Sequence, residues 1–304
     1  MQFPAGRDFG AASLPRDKMR HAFSRLKFMS ETSAVRHENP VPVPPFWGSK
    51  CLEQIPLKAV VPYINKTALY KFQWGYKPKG KTPEEYKEWA RHEVDPIFNR
   101  LVAQSEAENI LRPQAVYGFF PCQSAGEDLI VYADPDGAQE RCRFTFPRQT
   151  TERKLCISDF FRPVESKQMD VVAFQLVTIG QHASDFARDL FQRDVYQEYL
   201  YWHGMNAEGT EGLAEFIHKR IRVELGFGSE DARDIHDLIK QHYRGSRYSF
   251  GYPACPNLAD QDKILDLLGA ERIHVTLGDE AQLWPEESTS AIIVHHPDAK
   301  YFGV

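Results

Sequence analysis

The sequence predicts an α+β fold: a single large domain with a twisted, mainly antiparallel sheet flanked by helices. Three observations predict it. Strand-like segments cluster in the middle of the chain and are joined by turns too short for a crossover helix. Two helical segments then follow one another, and strands return only near the C-terminus. Nowhere do strand and helix alternate in the βαβ order of a doubly wound sheet. A length of 304 residues fits one large domain or two small ones.

Residues 1–40 read as a basic leader or linker, and 41–304 as the domain. The first 50 residues carry eight Lys or Arg against four Asp or Glu, while the remainder has a balance of −9. The spacing of Met19, Phe23 and Leu26 predicts a short basic amphipathic helix over Arg16 to Met29. Pro40, Pro42, Pro44 and Pro45 alternate with valines, which favours an extended, polyproline-like strap. Thr82-Pro83-Glu84-Glu85 starts a helix: threonine caps, proline fits the first turn, and Glu85 completes a capping box. Asp95-Pro96 either kinks that helix or opens a new one. Val94, Ile97, Phe98, Leu101 and Val102 then recur at helical spacing, which predicts a buried face.

Ala115–Pro121 and Asp128–Ala133 are short and rich in aromatic or β-branched residues, as strands are. Asp134-Pro135-Asp136-Gly137 is a turn, because proline presets φ and glycine accepts φ > 0. Cys142, Phe144 and Phe146 alternate with Arg143 and Thr145, the pattern of a half-buried strand. Val171–Thr178 is apolar or β-branched save for Gln175 and reads as a central strand. Phe186, Leu190, Phe191 and Val195 mark one helix. Leu213, Phe216, Ile217 and Ile221 mark the next. Arg272–Leu277 and Ala291–Val294 read as the returning strands.

Composition narrows the function classes. Hydrophobic residues make up 42% and charged residues 26%, an ordinary globular balance. A net charge of −5 argues against a cationic nucleic-acid binder. No apolar run reaches the ~18 residues of a membrane span, and the N-terminus has no apolar signal core. Cys51, Cys122, Cys142, Cys156 and Cys255 are scattered, without a Cys-x-x-Cys pair, which suits reduced thiols in the cytoplasm.

Catalytic and metal motifs are sparse. There is no glycine-rich phosphate loop and no H-E-x-x-H. His295-His296 sits at a strand end, where adjacent residues point to opposite faces and do not share one ion. Asp234-x-His236 is the start of the Asp-x-His-x-x-Gly signature of cobalamin-binding domains, but Ile239 stands where the glycine belongs. Neither a metal site nor a catalytic acid–base set is expected.

One loop differs. Arg244-Gly245-Ser246-Arg247-Tyr248-Ser249-Phe250-Gly251-Tyr252-Pro253-Ala254-Cys255-Pro256 is rich in glycine, arginine and tyrosine and is stiffened by prolines. Gly251 lets a ligand approach the backbone. Arg247 presents a planar fork suited to a carboxylate and is expected to wait in an open groove, with Arg244 at the surface. Tyr252 offers a ring face to a base or a cation. The same residues also suit a rigid turn braced by an arginine salt bridge.

The run Arg-x-x-x-Gly-Tyr-Pro-Ala-Cys-Pro resembles the S-adenosylmethionine-binding segment of the activation domain of cobalamin-dependent methionine synthase. Other pieces follow in that family's order. They are Pro44-Pro45-Phe46-Trp47-Gly48-Ser49, Tyr63-Ile64-Asn65-Lys66 through Gln73-Trp74-Gly75, and Ala115 through Pro121. Ser158-Asp159-Phe160, Gln175 through Gly180, and Glu211 through Arg222 come next. His296 through Phe302 resembles the family's closing strand. The resemblance spans about residues 41–304.

What the resemblance implies is a reactivation module. It binds S-adenosylmethionine and caps the cobalamin of a partner domain or subunit. It supports the reductive methylation of cob(II)alamin to methylcobalamin as a flavodoxin-like donor supplies an electron. Position by position, Arg247 binds the ligand's carboxylate and Ser249 contributes a backbone contact. Gly251 and Tyr252 line the same pocket, with Tyr301 and Phe302 closing on it. Asn65 stands where some members use aspartate to meet the ligand's amino group. Glu211 faces the released cobalamin-ligand histidine, and Ala207 replaces an acidic residue one turn earlier. The homocysteine, folate and cobalamin modules find no counterpart here. The chain is therefore either a stand-alone activation subunit, which Met1 and a leader of its own favour, or a fragment. The alternative function is a docking subunit or chaperone for a corrinoid protein without methyl transfer, which Asn65 and Ala207 favour.

Overall fold

A computed structural model describes residues 33–304, so the helix expected over Arg16 to Met29 lies outside the described residues. The sheet has seven strands: β1 (Gly48–Leu52), β2 (Gln114–Ala125), β3 (Asp128–Tyr132), β4 (Glu140–Thr145), β5 (Asp170–Thr178), β6 (Ser246–Ser249) and β9 (Ser288–Val294). A separate two-stranded ribbon joins β7 (Thr276–Leu277) to β8 (Leu283–Trp284). In the large sheet the order is β4-β3-β2-β5-β9-β6, every pair is antiparallel, and β1 lies beside β2. β2 is long enough to serve two partners on one edge: β1 takes residues 115–119 and β3 takes 122–125. Pro121, which has no N–H to give, falls in the gap between them.

The α-helices of five or more residues are α1 (Pro83–Glu93), α2 (Asp95–Glu108), α3 (Gln181–Gln192), α4 (Tyr196–Glu224), α5 (Ile235–Ile239) and α6 (Gln261–Leu268), and Leu57–Val60 and Lys66–Ala68 form single helical turns. The capping box forms as expected, with Glu85 N–H on Thr82 Oγ1 at 3.3 Å and Thr82 N–H on Glu85 Oε2 at 2.8 Å. Pro96 opens α2 as a new helix, because its ring fits a first turn and not an interior.

β5 is buried along its whole length and separates two cores. Val172, Phe174 and Leu176 pack with Phe144, Ile292 and Ile264 of α6 on one face. Val171, Ala173 and Val177 pack with Leu213, Ile217 and Ile221 of α4 on the other. A third cluster gathers α1, α2 and α3 around Trp202 and Met205, in the N-terminal half of α4. This helix therefore serves two cores in turn. Gly212 is where it meets the chain at residues 63–64: a Cβ there would lie 3.1 Å from the Ile64 nitrogen and 3.2 Å from the Tyr63 carbonyl carbon.

Residues 33–40 pack onto this body through backbone carbonyls. His296 Nε2 donates to Arg36 O at 2.8 Å, and Arg162 donates to the carbonyls of His37 and Asn39.

Several elements differ from expectation. Arg272–Leu277 is not one strand: Ala270–Ile273 is a helical turn, His274 adopts φ 57°, and only Thr276–Leu277 pairs. Gly269, at φ 66°, ends α6 and ties this turn to it through Arg272 N–H. The closing stretch His296–Phe302 joins no strand ladder, since Pro297 lacks a donor and Ala299 N–H turns back to His296 O. Phe191 and Val195 are exposed, because the buried stripe of α3 runs through Ala183, Ser184 and Ala187 instead.

Candidate functional site

Among the described residues β6 is an edge strand, held by β9 on one side only. The turn before it admits no side chain at Gly245, whose φ is +82° and whose Cβ would meet Val294 O at 2.3 Å. Strand alternation then sends Ser246 and Tyr248 into the core and leaves Arg247 and Ser249 half-buried on the opposite face. Arg247 thereby meets α4. Its Nη1 donates to Glu215, and its Nη2 lies 3.3 Å from Glu211 Oε2. Glu211 and Glu215 are one helical turn apart, so both face the strand.

Behind Arg247 the charges continue inward. Arg222 is fully buried. Its Nη2 donates to Glu215 Oε1 at 3.3 Å, and its Nε and Nη2 hold Asp231 at 2.8 and 3.0 Å. The Tyr243 ring lies 3.9 Å from the Arg222 guanidinium, and burial pushes its hydroxyl up to about 12. His218 is buried beside Tyr243. Its pKa is driven well below the ordinary value, first by burial and then by the charges of Arg222, Arg247 and Lys300, so it is neutral. The result is a ladder of alternating sign, Glu211–Arg247–Glu215–Arg222–Asp231, running from solvent to core. Burial works against the charge of Arg247, but Glu215, Tyr243 and Glu211 together raise its pKa above the usual arginine value.

After β6 the chain folds into a tight loop. Gly251 N–H donates to Cys255 O and Cys255 N–H to Tyr252 O, both at 2.8 Å. Ala254 and Cys255 are buried and pin the loop to the core, while Tyr252 stays exposed. Gly251 has φ +90°, and a Cβ there would come within 3.0 Å of Leu258.

Besides Gly251 and Tyr252 in this loop, the binding residues singled out from sequence fall into three groups. Arg247 and Glu211 are bonded directly, with Ser249 on the same face of β6. Tyr301 and Phe302 instead contact Tyr248, whose side chain points the other way, and Phe302 is a core residue. Asn65 is a helix cap: its Oδ1 accepts from Thr67 N–H at 3.1 Å and Ala68 N–H at 3.2 Å. Arg244, assigned to the surface by sequence, is tucked in. Its Nε donates to His295 O at 3.0 Å and its guanidinium lies over the Phe227 ring. The two histidines at 295 and 296 are spent separately, on Asp170 and on Arg36 O. Asp234 caps α5 through His236 N–H. Glu215, Arg222 and Asp231 are not among the residues the sequence singles out, although ionisable residues at 211, 215, 218 and 222 share one face of α4.

A family model described as the activation domain of vitamin B12 dependent methionine synthase matches residues 56–304. The chain belongs to that family. The methionine synthases of Mycobacterium leprae and Mycobacterium tuberculosis are 41% and 42% identical to it over 287 residues. The matches cover 90% of this chain and 24% of each relative, so the chain spans about a quarter of their length. Among solved structures, the crystal structure of the MetH reactivation domain bound to AdoHcy superposes with a TM-score of 0.81 at 25% identity. It covers 92% of this chain and 88% of that one. The mainly antiparallel sheet with flanking helices is thus the activation-domain fold.

Proposed function

We propose that this chain binds S-adenosylmethionine beside β6 and acts as the reactivation module for a cobalamin-bearing domain or subunit of methionine synthase, in the cytoplasm. The observation that carries the reading is Arg247. It is a guanidinium anchored from behind by Glu215 and flanked by the exposed Glu211, next to a glycine–tyrosine–proline loop, in the fold of a domain crystallised with AdoHcy.

The residues fit such a ligand. Arg247 gives one arm to Glu215 and the other to Glu211, so a ligand carboxylate has to displace the longer contact, made by the exposed carboxylate. Gly251 keeps the loop backbone accessible, and Tyr252 holds an exposed ring beside it. When bound, S-adenosylmethionine supplies an electrophilic methyl group on a sulfonium. Transfer from a sulfonium calls for orientation and for exclusion of water, which agrees with a site lacking a proton-shuttling pair. Arg247, the loop and α4 hold the ligand's ends. The cobalamin and a flavodoxin-like electron donor belong to partners.

Calorimetric titration with S-adenosylmethionine tests the proposal. One saturable site is expected. The alternative, a docking subunit without methyl transfer, predicts no saturable heat.

A further inference from the structure

We propose that Glu211 is the acceptor for the ligand's α-ammonium group, so that the amino-acid end binds by inserting into the Arg247–Glu211 ion pair. This rests on the reading above, in which Arg247 takes the carboxylate.

A zwitterion needs a cation and an acceptor side by side. Asn65, the acceptor implied by the family pattern, is already used. Its oxygen takes two backbone N–H groups as a helix cap, and what remains of its amide is a donor. Glu215 is used as well, with one oxygen on Arg247, the other on Arg222, and the side chain buried. Glu211 is the remaining carboxylate on Arg247. Its side chain is 56% exposed, and its 3.3 Å contact with Nη2 is the outermost and longest rung on that arginine. A pair open to solvent on the Glu211 side contributes less than a buried one and opens at smaller cost.

Charge and placement agree with this. Arg247, Glu215, Arg222 and Asp231 sum to zero, which leaves Glu211 as an unbalanced negative charge at the mouth of the ladder. Inserting a zwitterion replaces one ion pair with two and changes no net charge: Arg247 meets the carboxylate and Glu211 meets the ammonium. The chain at residues 63–64 lies against Gly212, the neighbour of Glu211 in sequence.

The test compares S-adenosylhomocysteine with methylthioadenosine, which lacks the amino-acid end, by titration into wild-type chain, Glu211→Gln and Glu211→Asp. Glutamine keeps the shape and loses the charge. The expected result is a loss of about tenfold or more for S-adenosylhomocysteine in Glu211→Gln, because a charge-assisted bond is removed. Methylthioadenosine binding should be unchanged, and Glu211→Asp should recover part of the loss. Unchanged or tighter S-adenosylhomocysteine binding in Glu211→Gln would overturn the proposal, since Glu211 would then only compete for Arg247. Equal weakening of both ligands would overturn it too. If wild-type chain binds neither ligand, the reading of the site as an S-adenosylmethionine site falls instead.

Discussion

Arg222 and Asp231 form a two-point pair in the interior, with Nε–Oδ1 at 2.8 Å, Nη2–Oδ2 at 3.0 Å and both side chains at most 3% exposed. The pair joins the end of α4 to the segment that leads into the ligand loop. Its worth lies in the cost of breaking it. Removing one partner of a buried pair typically costs about 3–5 kcal/mol, because the other charge is left uncompensated. Asp231→Ala should therefore lower the unfolding free energy by up to about that amount, since Arg222 keeps its bond to Glu215, measured by urea denaturation. Exchanging both residues for apolar ones of similar volume should recover much of the loss. A change within about 0.5 kcal/mol for Asp231→Ala, the range of an ordinary surface substitution, would show that water reaches the pair.

The β5 amides should exchange among the slowest in the protein. The strand is paired on both sides, by β2 and by β9, and buried on both faces. Its opening requires loss of both cores, so its exchange should report global unfolding. Fast exchange at Phe174 or Leu176 in a mass-resolved or NMR experiment would contradict the strand order.

How much of this was legible follows from range. The capping box at Thr82 and the turn at Asp134–Gly137 were legible because their bonds close within a few residues. β5 was legible because burial on two faces leaves an almost unbroken apolar run. The N-terminal half of α4 was not, because its buried side chains, among them Tyr201, Trp202 and Met205, face a different core from Leu213 and Ile217. The loop's likeness to a known segment pointed to Arg247. Its partners on α4 are 32 and 36 residues away, and no local pattern joins them. Arg244 and Arg247 look alike in sequence. Only the strand register and the turn at Gly245 decide which one reaches α4.

Stability should fall as pH rises through weakly acidic conditions, owing to Glu287. Burial, with a smaller contribution from Glu286, pushes its carboxyl from 4.5 up to about 7. Between those values the folded chain holds a proton that the unfolded chain has released, so raising the pH favours unfolding, and the effect levels off above about 7. Glu287→Gln should flatten this part of the Tm–pH profile and raise Tm at pH values above it. A profile as steep in Glu287→Gln as in wild type would assign the slope to other groups.

Arg247→Lys should weaken S-adenosylmethionine binding by about tenfold or more. A lysine replaces a fork with a point charge and gives up a charge-assisted bond, typically about 1.5–3 kcal/mol, where about 1.4 kcal/mol is tenfold. The structure alters what the controls should do. From sequence, Arg247 waits in an open groove and Arg244 lies at the surface. In the fold, Arg247 neutralises the buried Glu215 and Arg244 is packed under His295 O. Arg247→Ala should therefore lower the Tm of the ligand-free chain as well as abolish binding, although Arg222 still holds Glu215 and limits the damage. Arg244→Ala should lower Tm with little effect on affinity, because its bonds point to His295 and Glu230 and away from α4. Calorimetry and thermal denaturation on the same three variants separate these effects. Loss of binding in Arg244→Ala with full affinity in Arg247→Ala would mean that the ligand reads the other arginine, and the placement of the loop against α4 would have to be redrawn.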